Sequence, residues 1–132
     1  MTRIAIAAAV AALGVAAFAL PATAATPTYS GSVGPGFTIS LAKKPTKPGL
    51  AKFTISDKAT IHDWHLYFGS GSKLAKVFQV DRRGKALAKK KEATTAVPAT
   101  GTVSFYVTLK KGTYTFLCDP HSSSMVGTFT IK

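Results

Sequence analysis

"GTYTFLCDPHSSSMVGTFTIK", residues 112–132, carries the reading of the chain. Its first part alternates: Tyr114, Phe116 and Cys118 share one face, Thr113, Thr115 and Leu117 the other. Aromatic and β-branched residues at period two mark a half-buried strand. Asp119-Pro120 is a turn signal, and the serines at 122–124 do not extend a central strand. Alternation resumes from Val126, with Phe129 and Ile131 together. Two strands therefore bracket a loop holding Cys118, the only cysteine, with His121 and Met125.

The same period extends through the chain. Phe37, Ile39 and Leu41 read as one inward face, as do Phe53 and Ile55, and then Val103, Phe105, Val107 and Leu109. Gly and Pro punctuate these runs at 34–36, 48–50, 69–72, 97–101 and 110–112. Short strands with regular turns predict an all-β fold, an antiparallel β-sandwich. The least regular segment is 73–95. There "LAKVFQV" (74–80) reads as strand and "KALAKKKEA" (85–93) as a short helix or a basic loop.

The N-terminus has a different composition. Arg3, an apolar run from Ile4 to Leu20, Pro21 and the small-residue site Ala22-Thr23-Ala24 have the layout of a secretory signal peptide. A membrane anchor is the rival reading. Cleavage after Ala24 divides the chain into a signal peptide, 1–24, and one exported domain, 25–132, expected to be monomeric. No second long apolar run exists, so no membrane span is expected after cleavage. The expected location is extracytoplasmic, in a periplasm or on the cell-envelope exterior.

Leaving out Arg3, sixteen Lys and Arg stand against five Asp and Glu, a net charge near +11. The density peaks at Lys43–Lys47 and Asp81–Glu92. No aromatic residues interleave these runs, and an exported protein rarely meets nucleic acid, so nucleic-acid binding is not expected. Solvated loops, or attraction to an acidic protein partner or an anionic envelope, fit better.

A lone thiol in an oxidising compartment is a hazard or a working group. A bound metal protects it and staples a small fold. Cys118, His121 and Met125 lie on one loop whose curl brings thiolate, imidazole and thioether together. The other histidines are both in "TIHDWHLYF", 60–68. Read as one strand, His62, Trp64, Leu66 and Phe68 face inward while Ile61, Asp63, His65 and Tyr67 face out. His62 is therefore the fourth candidate ligand. Cysteine with two histidines suits zinc or copper; an added weak thioether is the blue-copper set. The expected cofactor is one copper ion cycling between Cu(II) and Cu(I).

"GTYTFLCDPHSSSMVGTFTI" resembles the C-terminal ligand loop and last strand of the cupredoxins, of the plastocyanin, azurin and amicyanin type. Their hallmark is G-x-Y-x-[FY]-x-C-x-x-H followed by Met and a final strand. "IHDWHLYF" resembles the family's first-ligand strand. The resemblance covers roughly 33–132. It implies a Greek-key sandwich, the ligands His62, Cys118, His121 and Met125, and His65 as a bystander. It also implies a soluble one-electron carrier, not an enzyme, that exchanges electrons with a partner protein. Two positions depart from the pattern: Asp63 stands where the family usually has Asn, and Asp119 where it often has Ser or Thr. Side by side, two carboxylates repel unless one takes a proton or a cation bridges them. A module that sequesters or delivers copper, and a structural domain stapled by its metal, are the alternatives. A Cys-His hydrolase would need an orienting group and an oxyanion hole that the sequence does not offer.

Overall fold

A computed structural model describes residues 18–132. The signal-like apolar run, apart from its last three residues, lies outside them. Eight strands form two four-stranded sheets. They are β1 (Thr28–Val33), β2 (Ile39–Leu41), β3 (Gly49–Asp57), β4 (His65–Ser70), β5 (Lys73–Lys76), β6 (Gly101–Leu109), β7 (Gly112–Leu117) and β8 (Val126–Ile131). One sheet has the order β2-β1-β3-β6, the other β5-β4-β7-β8. The chain crosses between sheets from β3 to β4, from β5 to β6 and again from β6 to β7, a Greek-key path. All pairings are antiparallel except β1 with β3. Among the described residues no helix is long and apolar enough to cross a membrane.

Alternation places the inner faces. Ala51, Phe53 and Ile55 of β3 and Phe105, Val107 and Leu109 of β6 are buried against Tyr114, Phe116, Phe129 and Ile131 of the other sheet. Trp64 is fully buried among them. Its ring stacks on Phe116 at 5.3 Å and 9°, lies 5.9 Å from Phe53, and donates from Nε1 to the Ser40 carbonyl at 3.1 Å. A Trp that packs three ways and satisfies its N–H is worth about 3–5 kcal/mol over Ala.

Strand β1 carries a weak sequence signal because Gly31 interrupts its alternation. The glycine is required there. A Cβ at Gly31 would sit 2.7 Å from the Ser40 carbonyl oxygen and 3.2 Å from Trp64 Nε1. The backbone must pass this close for β2 and the indole to meet.

Three expectations need correction. Residues 60–68 are not one strand: β4 begins at His65, and residues 60–61 form a turn before it. After β5 (Lys73–Lys76) the chain leaves strand structure, so only the first part of 74–80 is strand, and of the two readings left open for 85–93 the basic loop holds and the short helix does not. The segment runs as an irregular loop held by isolated bridges, Phe78 with Glu92 and Val80 with both Ala86 and Tyr106. Its return leg, Ala93–Thr95, lies along Trp64 and Leu66 through three backbone and side-chain hydrogen bonds of 2.9–3.0 Å. Phe37 does not face the core; it is 65% exposed. Gly34 (φ +73°) and the following bend turn it out of line with Ile39 and Leu41.

Candidate metal centre

The end of the sandwich where β3, β4, β7 and β8 meet holds four loops. His62 comes from the β3–β4 connection and is fully buried. Cys118 follows β7, and its burial fits the inward alternation of Tyr114 and Phe116. A single 3₁₀ turn, Asp119–His121, with Pro120 at its start, then swings His121 back over the cysteine. The β7–β8 loop closes on itself. His121 N–H donates to the Cys118 carbonyl at 3.0 Å, Met125 N–H to the His121 carbonyl at 2.9 Å, and Cys118 N–H to the Met125 carbonyl at 3.0 Å. These bonds fix the backbone of all three residues relative to one another.

The side chains converge accordingly. The Nδ1 atoms of His62 and His121 are 3.1 Å apart, and Cys118 Sγ lies 3.6 Å from the first and 3.5 Å from the second. The centre of that triangle is about 2.0 Å from each corner, which is a metal–nitrogen bond length and slightly under a metal–sulfur one. His62 turns Nδ1 toward the other two donors, while its Nε2 is buried without a hydrogen-bond partner among the described residues. Burial pushes the Cys118 thiol above its ordinary value. A cation at the centre of the triangle opposes that push by favouring the thiolate. Met125 is fully buried on the same loop.

Phe37 roofs this triangle. Its ring presents edge-on contacts to His121 at 5.0 Å and to His62 at 5.4 Å. Sequence alternation hid this role, because it assigned Phe37 to the core. The signal that could have revealed it is the "GPGF" bend, which breaks strand phase immediately before it. Ile61, next in sequence to His62, is 55% exposed.

A second cluster sits directly behind the first. Asp63 Oδ1 accepts the Asp119 N–H at 2.7 Å. The Asp119 carboxylate accepts the Tyr67 hydroxyl at 2.6 Å and lies 2.7 Å from His65 Nδ1. His65 Nε2 faces Glu92 at 3.0 Å, and Glu92 pairs with Lys76 at 2.6 Å. His65 is thus buried and clamped between carboxylates, not turned out to solvent as the strand reading of 60–68 requires. Below about pH 6 the two aspartates differ in protonation. Burial, and then sharing a proton with Asp119, pushes Asp63 up to about 6. Burial acts upward on Asp119 too, but the Tyr67 hydroxyl and His65 hold it below the ordinary carboxylate range.

Comparison with known proteins agrees with this geometry. The family described as copper binding proteins, plastocyanin/azurin family, matches residues 40–132. A search of curated proteins returns no match. Among solved structures, rusticyanin from Thiobacillus ferrooxidans aligns over 83% of this chain and 79% of its own, with 19% identity and a TM-score of 0.52. Dithionite-reduced auracyanin from the photosynthetic bacterium Roseiflexus castenholzii aligns over 83% and 99%, with 18% identity and a TM-score of 0.50. A laccase from Pediococcus acidilactici aligns over 95% of this chain at 20% identity with a TM-score of 0.53, but this chain spans only 29% of that enzyme. At these identities the structures speak for the fold. The family match speaks for the metal. Two imidazoles and a thiol converging on one point, with a thioether on the same loop, fit a single type 1 copper ion. The chain belongs to the plastocyanin/azurin family of copper-binding proteins.

Proposed function

We propose that the protein is an exported one-electron carrier. In this reading His62 Nδ1, Cys118 Sγ and His121 Nδ1, with the Met125 thioether, would hold a copper ion. The observation that carries it is the donor triangle of 3.1–3.6 Å held under Phe37. Bound copper supplies the one-electron couple. The chain supplies rigidity: backbone bonds close the ligand loop on itself, and Asp63 ties it to the β3–β4 connection. A donor set that moves little between oxidation states keeps reorganisation small.

His121 is the exit for the electron. It is partly exposed, whereas His62, Cys118 and Met125 are fully buried. Phe37 gives the surface around it an apolar centre, the composition of a docking site for a redox partner. That burial also favours carriage over copper delivery, because a metal handed to an acceptor must have ligands that the acceptor can reach. The apolar run 4–20 and the small-residue site ending at Ala24 direct the chain out of the cytoplasm.

The test is voltammetry of the Cu(II)-loaded protein alongside a copper-transfer assay to a chelating acceptor. A reversible one-electron wave with copper retained through many cycles is expected. Irreversible reduction, with copper lost to the acceptor on each cycle, would establish delivery instead.

A further inference from the structure

Strand register gives the sandwich two distinct ends. Val33, Asp57 and Gly101 of the first sheet, with His65, Leu117 and Val126 of the second, close the metal end. The far end gathers Thr28, Gly49 and Leu109 with Ser70, Gly112 and Ile131. Lys43, Lys44 and Lys47 project from the β2–β3 loop there, Lys110 and Lys111 from the β6–β7 turn, and Lys132 from the end of β8; all are exposed. The Lys132 N–H bonds the Thr46 carbonyl at 3.4 Å, so the first and last of these segments are neighbours.

The acids are distributed the other way. Asp57, Asp63 and Asp119 lie at the metal end and Glu92 in the long loop after β5; the one acid near the far end is Asp81, whose carboxylate accepts the Arg83 and Lys85 N–H groups. The chain also enters the body at the far end. Thr28 pairs with Lys52, and the Pro27 carbonyl accepts the Lys52 N–H at 2.9 Å. Residues 24–27 line one groove with Lys43, Lys44 and Lys47. The segment leading from the apolar run Ile4–Leu20 therefore joins the sandwich among these lysines.

We propose that the lysine end is a docking face for a lipid surface bearing anionic phosphate headgroups. Its charge is spread over three segments. The exposed large apolar residues of the folded body are mostly elsewhere, with Phe37, Ile61, Val97 and Val126 toward the metal end; Phe78 alone borders the lysines, in a groove it shares with Lys110. A protein partner needs buried anchors at the centre of its contact. Diffuse headgroup charge needs only lysines within a Debye length. The chain itself enters the body at the same end, through Pro27 and Thr28. Nine residues of β3 set the metal end about 30 Å from the lipid. On the electron-carrier reading, His121 and Phe37 then face away from the membrane, free for a partner. The docking itself does not depend on copper.

The test is vesicle co-sedimentation of the protein as the exporting host produces it, both copper-free and copper-loaded. Vesicles with about one-third phosphatidylglycerol are compared with pure phosphatidylcholine as baseline. Anionic vesicles should bind about tenfold more tightly than neutral ones, in both metal states, and lose that margin as salt rises. The variant K43Q/K44Q/K47Q should lose about tenfold, whereas K58Q/K89Q/K91Q, with equal charge removed away from that end, should lose less than about threefold. The substitutions lie on exposed loops, and far-ultraviolet dichroism checks that each variant is folded. No preference for anionic vesicles overturns the proposal, as does an equal loss in the two variants. Capture on immobilised polyglutamate without vesicle binding overturns it in favour of an acidic protein. A copper-free protein that binds leaves the docking face standing even if electron carriage fails.

Discussion

Two clusters grow from the same two segments. His62, Cys118 and His121 form one; Asp63, His65 and Asp119, each a near neighbour in sequence, form the other. The first is soft and dry, an imidazole–thiol triangle roofed by Phe37. The second is ionic and ends in water through Glu92 and Lys76. Adjacent residues point to opposite sides of an extended chain, so any pair of segments that converges on a metal also converges behind it. In the family's usual pattern that rear position holds an amide and a hydroxyl. Here two carboxylates occupy it, and His65 with Tyr67 makes them compatible. On the proposed reading the difference separates roles: the front cluster would hold the metal, and the rear one would set how firmly the loop is held and at what potential.

The sharpest way to break this division is Cys118→Ser. It should abolish the intense thiolate-to-copper absorption of the Cu(II) protein altogether while leaving the fold, as read by far-ultraviolet dichroism, in place. A retained band would remove Cys118 from the front cluster. His65→Ala attacks the rear. It leaves Asp119 and Glu92 without the imidazole between them, Glu92 keeping only Lys76, and should cost about 2 kcal/mol in urea unfolding, less than a fully buried pair because both carboxylates reach water. The blue band should survive with a shifted intensity ratio. Loss of copper in that variant would show that the two clusters are not separable.

Phe37→Ala addresses the roof. The core does not need this exposed ring, so stability should change by under about 0.5 kcal/mol. Cross-reaction with a redox partner should slow about tenfold if the ring anchors docking. An unchanged rate would place the electron's exit elsewhere.

The smallest effect is expected from Asp63→Asn. Asp63 is raised in the folded state, so its contribution to stability is present below its ordinary value of 3.8 and is lost as pH rises through about 6. Asparagine keeps the acceptor for the Asp119 N–H and needs no proton. The copper-free variant should therefore gain about 1 kcal/mol over the parent above pH 6 and nothing near pH 4. Removing a negative charge behind the copper should also raise the reduction potential. A lowered potential would refute the charge argument.

Much of this was legible beforehand. Period-two alternation locates β3, β6, β7 and β8, because a half-buried strand must alternate whatever it packs against. The Cys118–Met125 spacing follows from local geometry, since a tight loop carries its donors with it. The preference for His62 over His65 rests on an alternation that residues 62–64 do not follow; both are buried, and only the direction of their rings separates them. Folding decided the remainder. No local pattern says that Phe37 leaves its strand phase at Gly34, or that Gly31 must be bare for Trp64 to reach Ser40. None says that residues 63 and 119, 56 positions apart, share a hydrogen bond, or that lysines from three segments end up beside the point of chain entry. Alternation encodes which face of a strand is wet. Which loops meet at its ends depends on how the sheets are threaded, and that is a property of the assembled sandwich.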